Sequence, residues 1–141
     1  MNRVTADSNV FISALRFGGK PLTLLKLAQD GYVDLALTDD ILAEVLRVLA
    51  GPKFRWTPER LQESATFLRS ITSHVFPTEA LSVITADPTD DHILECAVAA
   101  NSEVIVSGDK HLLGLGSFRG IEIVTVSEFL RPISRPVRWS R

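Results

Sequence analysis

The sequence predicts an α/β fold in which a central parallel sheet is flanked by helices, and three observations carry that prediction. Short apolar runs (Val4-Thr5-Ala6, Val33 to Leu37, Glu103 to Val106, Ile121 to Val124) alternate with segments whose apolar residues recur at helical spacing. The run from Val33 to Leu37 alternates poorly in polarity, as a strand covered on both faces would. Acidic residues recur where strand and helix meet: Asp7 after the first run, Asp90 and Asp91 at a helix start, and Asp109 after a later run. Open parallel sheets hold their ligands outside the carboxyl ends of the strands, so one rim of such a sheet could gather these acids together with Glu44.

Each element has a local reason. Asp7-Ser8-Asn9 supplies capping residues for a helix through Val10 to Leu15, which Gly18-Gly19-Lys20-Pro21 breaks. Leu22, Leu25, Leu27 and Ala28 carry a second helical stripe ending at Gly31. After the strand at Val33, Thr38-Asp39-Asp40 caps a helix from Ile41 to Ala50, which Gly51-Pro52 ends. Thr57-Pro58-Glu59 opens another helix to about Ser73, with proline at the favoured first position. Val75-Phe76 reads as a strand, and Val83-Ile84 leads into Asp87-Pro88-Thr89-Asp90-Asp91 and a helix through Ala100. Ser107-Gly108-Asp109 turns the strand at Val106 into a helical turn, and Val126 to Leu130 is a last short helix.

The chain has 141 residues, enough for one domain with a continuous core, which we place at residues 1–130. Residues 131–141 read as a basic, flexible tail. With 45% hydrophobic and 23% charged residues, and no apolar run near the roughly 18 residues of a membrane span, the composition is that of a water-soluble protein without a membrane partner. The start shows no basic segment followed by a long apolar one, and the single Cys96 excludes an intramolecular disulfide or a multi-cysteine zinc site. Both suit the cytoplasm. Net charge is −2, but Arg131, Arg135, Arg138 and Arg141 all fall in the acid-free tail, so the remainder carries a net of −6. Composition alone therefore shows no basic nucleic-acid footprint.

Carboxylates gathered at one rim repel each other, and the remedies are a raised pKa or a bound hard cation such as Mg²⁺ or Mn²⁺. A cation so held can activate water for attack on a phosphodiester and neutralise the charge that develops, without a His or Ser nucleophile. The plainer reading of Asp7, Asp90 and Asp109 is helix capping. Glu44 lies mid-helix at the edge of the apolar stripe, three residues after Ile41, where capping does not explain it. Ser8 and Asn9 either complete the cap or orient a metal-bound group, and Ser107 could hold a carboxylate in the same way. Spacing does not separate Asp90 from Asp91.

His74, His92 and His111 are scattered without metal-ligand spacing and read as surface or packing residues. Trp56, beside Arg55 and Lys53, either stacks a base or packs its ring on the body. Lys20 and Arg16 are solvated cations by default, with phosphate contact as the alternative.

Four ordered segments resemble the PIN domain family, the metal-dependent nucleases that include the VapC-like toxins of prokaryotic toxin–antitoxin systems. They are Val4 to Val10, Thr38 to Glu44, Asp87 to Ala97 and Ile105 to Lys110, and the stretch from Leu112 to Leu130 is similar to the toxin branch. The resemblance implies a PIN-like three-layer sandwich and an endoribonuclease using Mg²⁺ or Mn²⁺. It assigns catalysis to Asp7, Glu44, Asp90 or Asp91, and Asp109, with the metal on Asp7, Asp90, Asp91 and Asp109. It also implies an RNA substrate, an antitoxin protein as partner, and a homodimer; separately, the concentration of Arg131, Arg135 and Arg138 in the tail reads either as contact with RNA phosphates or as a solvated end. Two rival readings are a non-catalytic PIN-like module that binds nucleic acid or protein, which missing acids would favour, and a metal-dependent phosphatase. The latter would want a second aspartate two residues after Asp7, where Asn9 stands.

Overall fold

The computed structural model describes residues 2–84 and 87–134. Strand β1 (Asn2–Ala6) runs into helix α1 (Ser8–Phe17), followed by α2 (Gly19–Gln29), β2 (Val33–Leu37), α3 (Asp39–Ala50) and α4 (Pro58–Ile71). After β3 (Ser73–His74) come α5 (Pro88–Ala99), β4 (Val104–Val106), α6 (Lys110–Leu115), β5 (Ser117–Phe118), β6 (Ile121–Val124) and α7 (Val126–Ser134). The strands form one sheet in the order β3-β2-β1-β4-β6-β5, parallel throughout except for the β5–β6 pair. The sequence-predicted parallel sheet flanked by helices is thus the observed fold.

The helix starts follow the expected chemistry. Thr38 Oγ1 accepts from the Ile41 N–H at 3.2 Å, and Thr57 Oγ1 accepts from the Arg60 N–H at 3.2 Å. Gly18, at φ 78°, takes the left-handed conformation that ends α1 and lets α2 start at once. Thr125 and Glu128 form a reciprocal capping box: the Glu128 N–H donates to Thr125 Oγ1 at 3.1 Å and the Thr125 N–H to Glu128 Oε1 at 2.9 Å. This box starts α7 where expected, but the helix runs on to Ser134 rather than stopping near Leu130.

Two local expectations fail. The strand read at Val75-Phe76 lies two residues earlier, at Ser73–His74, because the Ala36 and Leu37 partners on β2 fix that register. Strand β5 escaped the sequence reading: it is a two-residue antiparallel edge, too short for any period to show.

The core is filled by wholly buried side chains from both layers, among them Phe11, Leu25, Leu35, Leu94 and Ile105. Truncating one of the large ones, Phe11→Ala for example, would cost about 3–5 kcal/mol through lost burial and the cavity left behind. Trp56 belongs to this core, with the Arg60 guanidinium 3.6 Å above its ring, so it packs on the body rather than offering a free stacking face. Cys96 is buried too, and burial pushes its thiol up to about 11, which keeps it protonated and unreactive.

The sheet order sets the site. From β1 the chain moves outward to β2 and β3, then returns across β1 to β4 and β6. Strands β1 and β4 are parallel neighbours that bracket this reversal, with Ala6 paired to Val106 at their carboxyl ends. Loops leaving adjacent strands in opposite directions open a crevice at that point, and Asp7 and Asp109 lie on those two loops.

Candidate metal centre

Asp7 enters the crevice from the end of β1. Its backbone N–H donates to the Val106 carbonyl at 2.9 Å, which extends the strand pairing and fixes the position of its side chain. One carboxylate oxygen, Oδ1, caps α1 by accepting from the Asn9 N–H at 3.1 Å. The other, Oδ2, accepts from the Ser107 hydroxyl at 2.7 Å. Ser107, wholly buried after β4, is a bridge: the same Oγ accepts from the Asp109 N–H at 2.9 Å. The two strand ends are thereby locked to each other through one hydroxyl. Ser8 is buried at the start of α1, and Asn9 is exposed beside it.

Asp109 caps α6, its Oδ2 accepting from the His111 and Leu112 N–H groups at 2.9 and 3.0 Å. Asp90 arrives from the first turn of α5 and is only 5% exposed. Its Oδ2 is buried and receives no hydrogen bond from the described residues, and the same holds for His111 Nδ1, 3.9 Å away. His111 Nδ1 is also 3.8 Å from Asp109 Oδ2, and the ligating atoms of Asp90, Asp109 and His111 all lie within 4.8 Å of one another.

Electrostatics divide these acids. Burial raises the Asp7 pKa; hydrogen bonds from Ser107 and Asn9 offset part of that, and the charges of Asp109 and Asp87 add to it. Burial also pushes Asp90 up to about 7, helped by the Asp109 carboxylate beside it and by the charges of Asp87 and Asp7. Burial works against Asp109 as well. There, the Leu112 N–H, the neighbouring Asp90 carboxyl, and the N–H and imidazole of His111 prevail and hold its pKa below the ordinary value. Without a cation, then, the cluster relieves its repulsion by protonating Asp90 near neutrality.

The neighbouring acids behave differently. Asp91 is equally buried, but its Oδ1 accepts from the Val83 and Ile84 N–H groups, both at 2.9 Å. It ties the segment before α5 to the helix, and this explains why Val83-Ile84 holds its place without joining the sheet. Glu44 sits at the edge of the buried stripe of α3, as its spacing predicts, and pairs with Arg47 at 2.6 Å. Neither of these, nor Asp7, belongs to a compact ligand group among the described residues. Arg131 is exposed on α7, whereas Arg135 and Arg138 lie outside the described residues.

Two contributors escaped the sequence reading. His111, taken there for a surface or packing residue, sits with the acids; its place two residues after Asp109, within the turn that Asp109 caps, was the available signal. Asp87 caps α5 through the Thr89 N–H at 3.1 Å and adds charge to both Asp7 and Asp90. A second group, Asp40, His92 and Glu95, brings ligating atoms within 4.8 Å of one another between α3 and α5.

The donor set fits a hard divalent cation. Two carboxylates and one imidazole nitrogen lie close enough to share a divalent cation, Asp7 standing outside that compact group, and a buried carboxylate oxygen with no donor among the described residues is what such an ion would satisfy.

An acidic crevice at the switch point of a mostly parallel sheet defines the class; the sequence defines the family. The PIN domain model matches residues 3–111, and the chain belongs to that family. Among solved structures, the fold is similar to that described as "Crystal structure of VapBC2 from Rickettsia felis bound to a DNA fragment from their promoter". The match has a TM-score of 0.60 at 15% identity and covers 86% of this chain and 96% of that one. No curated protein sequence matches the chain significantly. Among the described residues no helix is long and apolar enough to cross a membrane.

Proposed function

We propose that this PIN domain protein is an endoribonuclease dependent on Mg²⁺ or Mn²⁺, and that it is the toxin of a cytoplasmic toxin–antitoxin pair. The observation that carries the chemistry is the buried, donorless Asp90 Oδ2 facing Asp109 at the switch point where Asp7 also enters. Asp7, Asp90 and Asp109 would hold the ion, and a divalent ion in that place supplies an activated water and offsets the charge on the phosphoryl group.

The chain's own residues do the rest. Ser107 fixes Asp7 Oδ2 and the Asp109 backbone together, so two candidate ligands from different strands keep one spacing. The α6 cap aims Asp109, leaving His111 Nδ1 facing both carboxylates, where it can bind the ion or hydrogen-bond a water. Asp91 serves by position: it anchors residues 83 and 84, which lead into the helix that carries Asp90. Glu44 would have to leave Arg47 to join the cluster.

The toxin assignment, the antitoxin partner and the homodimer rest on family resemblance, supported by the likeness in fold to VapBC2. RNA as substrate has the same footing, and Arg131, Arg135 and Arg138 are proposed to contact its phosphates. The test is cleavage of single-stranded RNA, with single-stranded DNA in parallel, by purified protein with Mg²⁺, Mn²⁺ or EDTA. Cleavage of RNA only with metal supports the reading. Equal cleavage in EDTA, or none with either ion, overturns it.

A further inference from the structure

We propose that the cavity beside the carboxylate cluster, between α1, the start of α2 and the start of α7, is a subsite for the RNA nucleotide adjoining the scissile phosphate. In this subsite Lys20 holds the backbone phosphate. The inference rests on the nuclease reading above and extends it to substrate binding.

The cavity has a volume of about 510 Å³, within the range of roughly 300–1,000 Å³ typical of small-molecule sites. Val10, Pro21 and Val126 give it an apolar wall, against which the flat face of a base can lie. Ser107 and Gly108, the residues just before Asp109, line it as well, so the cavity adjoins the candidate metal centre. Lys20 and Ser127 stand at its lip, the Lys20 Nζ donating to Ser127 Oγ at 3.3 Å. Among the described residues Lys20 pairs with no carboxylate.

An exposed cation without an acidic partner, next to a cluster of acids, is the charge arrangement that a phosphodiester chain needs. The ion and its ligands take one phosphate and Lys20 takes the next. Two larger cavities do not compete for this role: one of about 620 Å³ adjoins Arg3 and Arg119, already engaged by the Asn101 carbonyl and by Glu79, and one of about 550 Å³ on α4 is lined by Glu59 and Glu63, which would repel a phosphate. A neutral base with one flanking phosphate is therefore the occupant that this chemistry selects.

Two variants of the full chain test the proposal, Lys20→Ala to remove the charge and Val126→Trp to fill the cavity, each checked for fold by circular dichroism. Binding of a short fluorescent RNA is measured in EDTA across a salt series, so it is read whether or not the protein cleaves. Steady-state cleavage with Mn²⁺ is measured separately. Both variants are expected to weaken binding about tenfold, with the loss in kcat/KM carried by KM. Lys20→Ala alone should lower the salt slope, by roughly 0.7 for one lost single-strand phosphate contact. Lys20→Arg should restore it. Wild-type dissociation constants and salt slopes in Lys20→Ala overturn the subsite even if Val126→Trp fails to fold. So does a change of oligomeric state with unchanged RNA affinity, which would make the cavity a protein contact. Failure of the nuclease reading looks different: the wild-type protein does not cleave, while the binding comparison still reports on the cavity.

Discussion

Replacing Asp90 by asparagine should stabilise the metal-free protein above neutral pH while removing its capacity to bind a cation. Asp90 is 5% exposed and its pKa is pushed up to about 7, so the folded state keeps a proton that the unfolded state releases near the ordinary value of 3.8. A raised acid contributes stability that is fully present below the unfolded pKa and is lost as pH rises through the folded one. The wild-type protein in EDTA should therefore lose stability between about pH 4 and pH 7. A shift of that size corresponds to at most about 4 kcal/mol. Water entering from the side where an ion would bind reduces the figure, and we expect roughly 2 kcal/mol at about pH 8, a rise in Tm of order 5–10 °C. Asparagine has the same shape and no charge to lose, so the difference between variant and wild type should shrink as pH falls and nearly vanish only below about pH 4, the unfolded pKa. Thermal melts of both proteins in EDTA at the two pH values, repeated with Mn²⁺, test this. The ion should raise the wild-type Tm by mass action and leave Asp90→Asn unmoved. A variant less stable than wild type at the higher pH, or an equal difference at both, would refute the reasoning.

Other substitutions separate the remaining roles. Asp7→Asn keeps an oxygen to cap α1 but loses the charge facing Ser107, so RNA cleavage should nearly disappear with an unchanged circular dichroism spectrum; wild-type cleavage would remove Asp7 from the site. Ser107→Ala unties the bridge between the strand ends and should weaken Mn²⁺ affinity by about 10–100-fold, read from the metal dependence of Tm. Asp91→Ala leaves the Val83 and Ile84 N–H groups without their acceptor and should cost about 1–3 kcal/mol in urea denaturation, opposite in sign to Asp90→Asn. Deleting residues 135–141 removes Arg135, Arg138 and Arg141, and a flatter salt dependence of RNA binding is expected; equal slopes would free the tail from the RNA site.

Much of this arrangement is legible in the sequence because strand ends and helix caps are marked by the residues that also carry charge. Capping occupies only one oxygen of Asp7. The other faces Ser107, and Asp109 likewise caps α6 within reach of Asp90. Glu44 could be placed at the edge of its stripe from helical spacing, and its partner Arg47 lies at the i+3 position where such pairs form. What could not be read depends on packing between segments distant in the chain. His111 joins Asp90 only because β4 and α5 end at the same crevice, a fact of sheet order rather than of local pattern.

The pair Asp90 and Asp91 shows where sequence reasoning stops. Adjacent residues on a helix point about 100° apart, so one of two neighbouring acids can face the crevice while the other faces away, but spacing does not say which. The deciding element is the segment before the helix. Val83 and Ile84 present two N–H groups that no strand satisfies, and Asp91 accepts both, which fixes the rotation of the first turn of α5. Asp90 is then turned toward Asp109 with one oxygen left without a donor among the described residues. The acid with the hydrogen bonds holds the fold, and the acid without them is left facing Asp109 and His111. This is why the two substitutions should move stability in opposite directions.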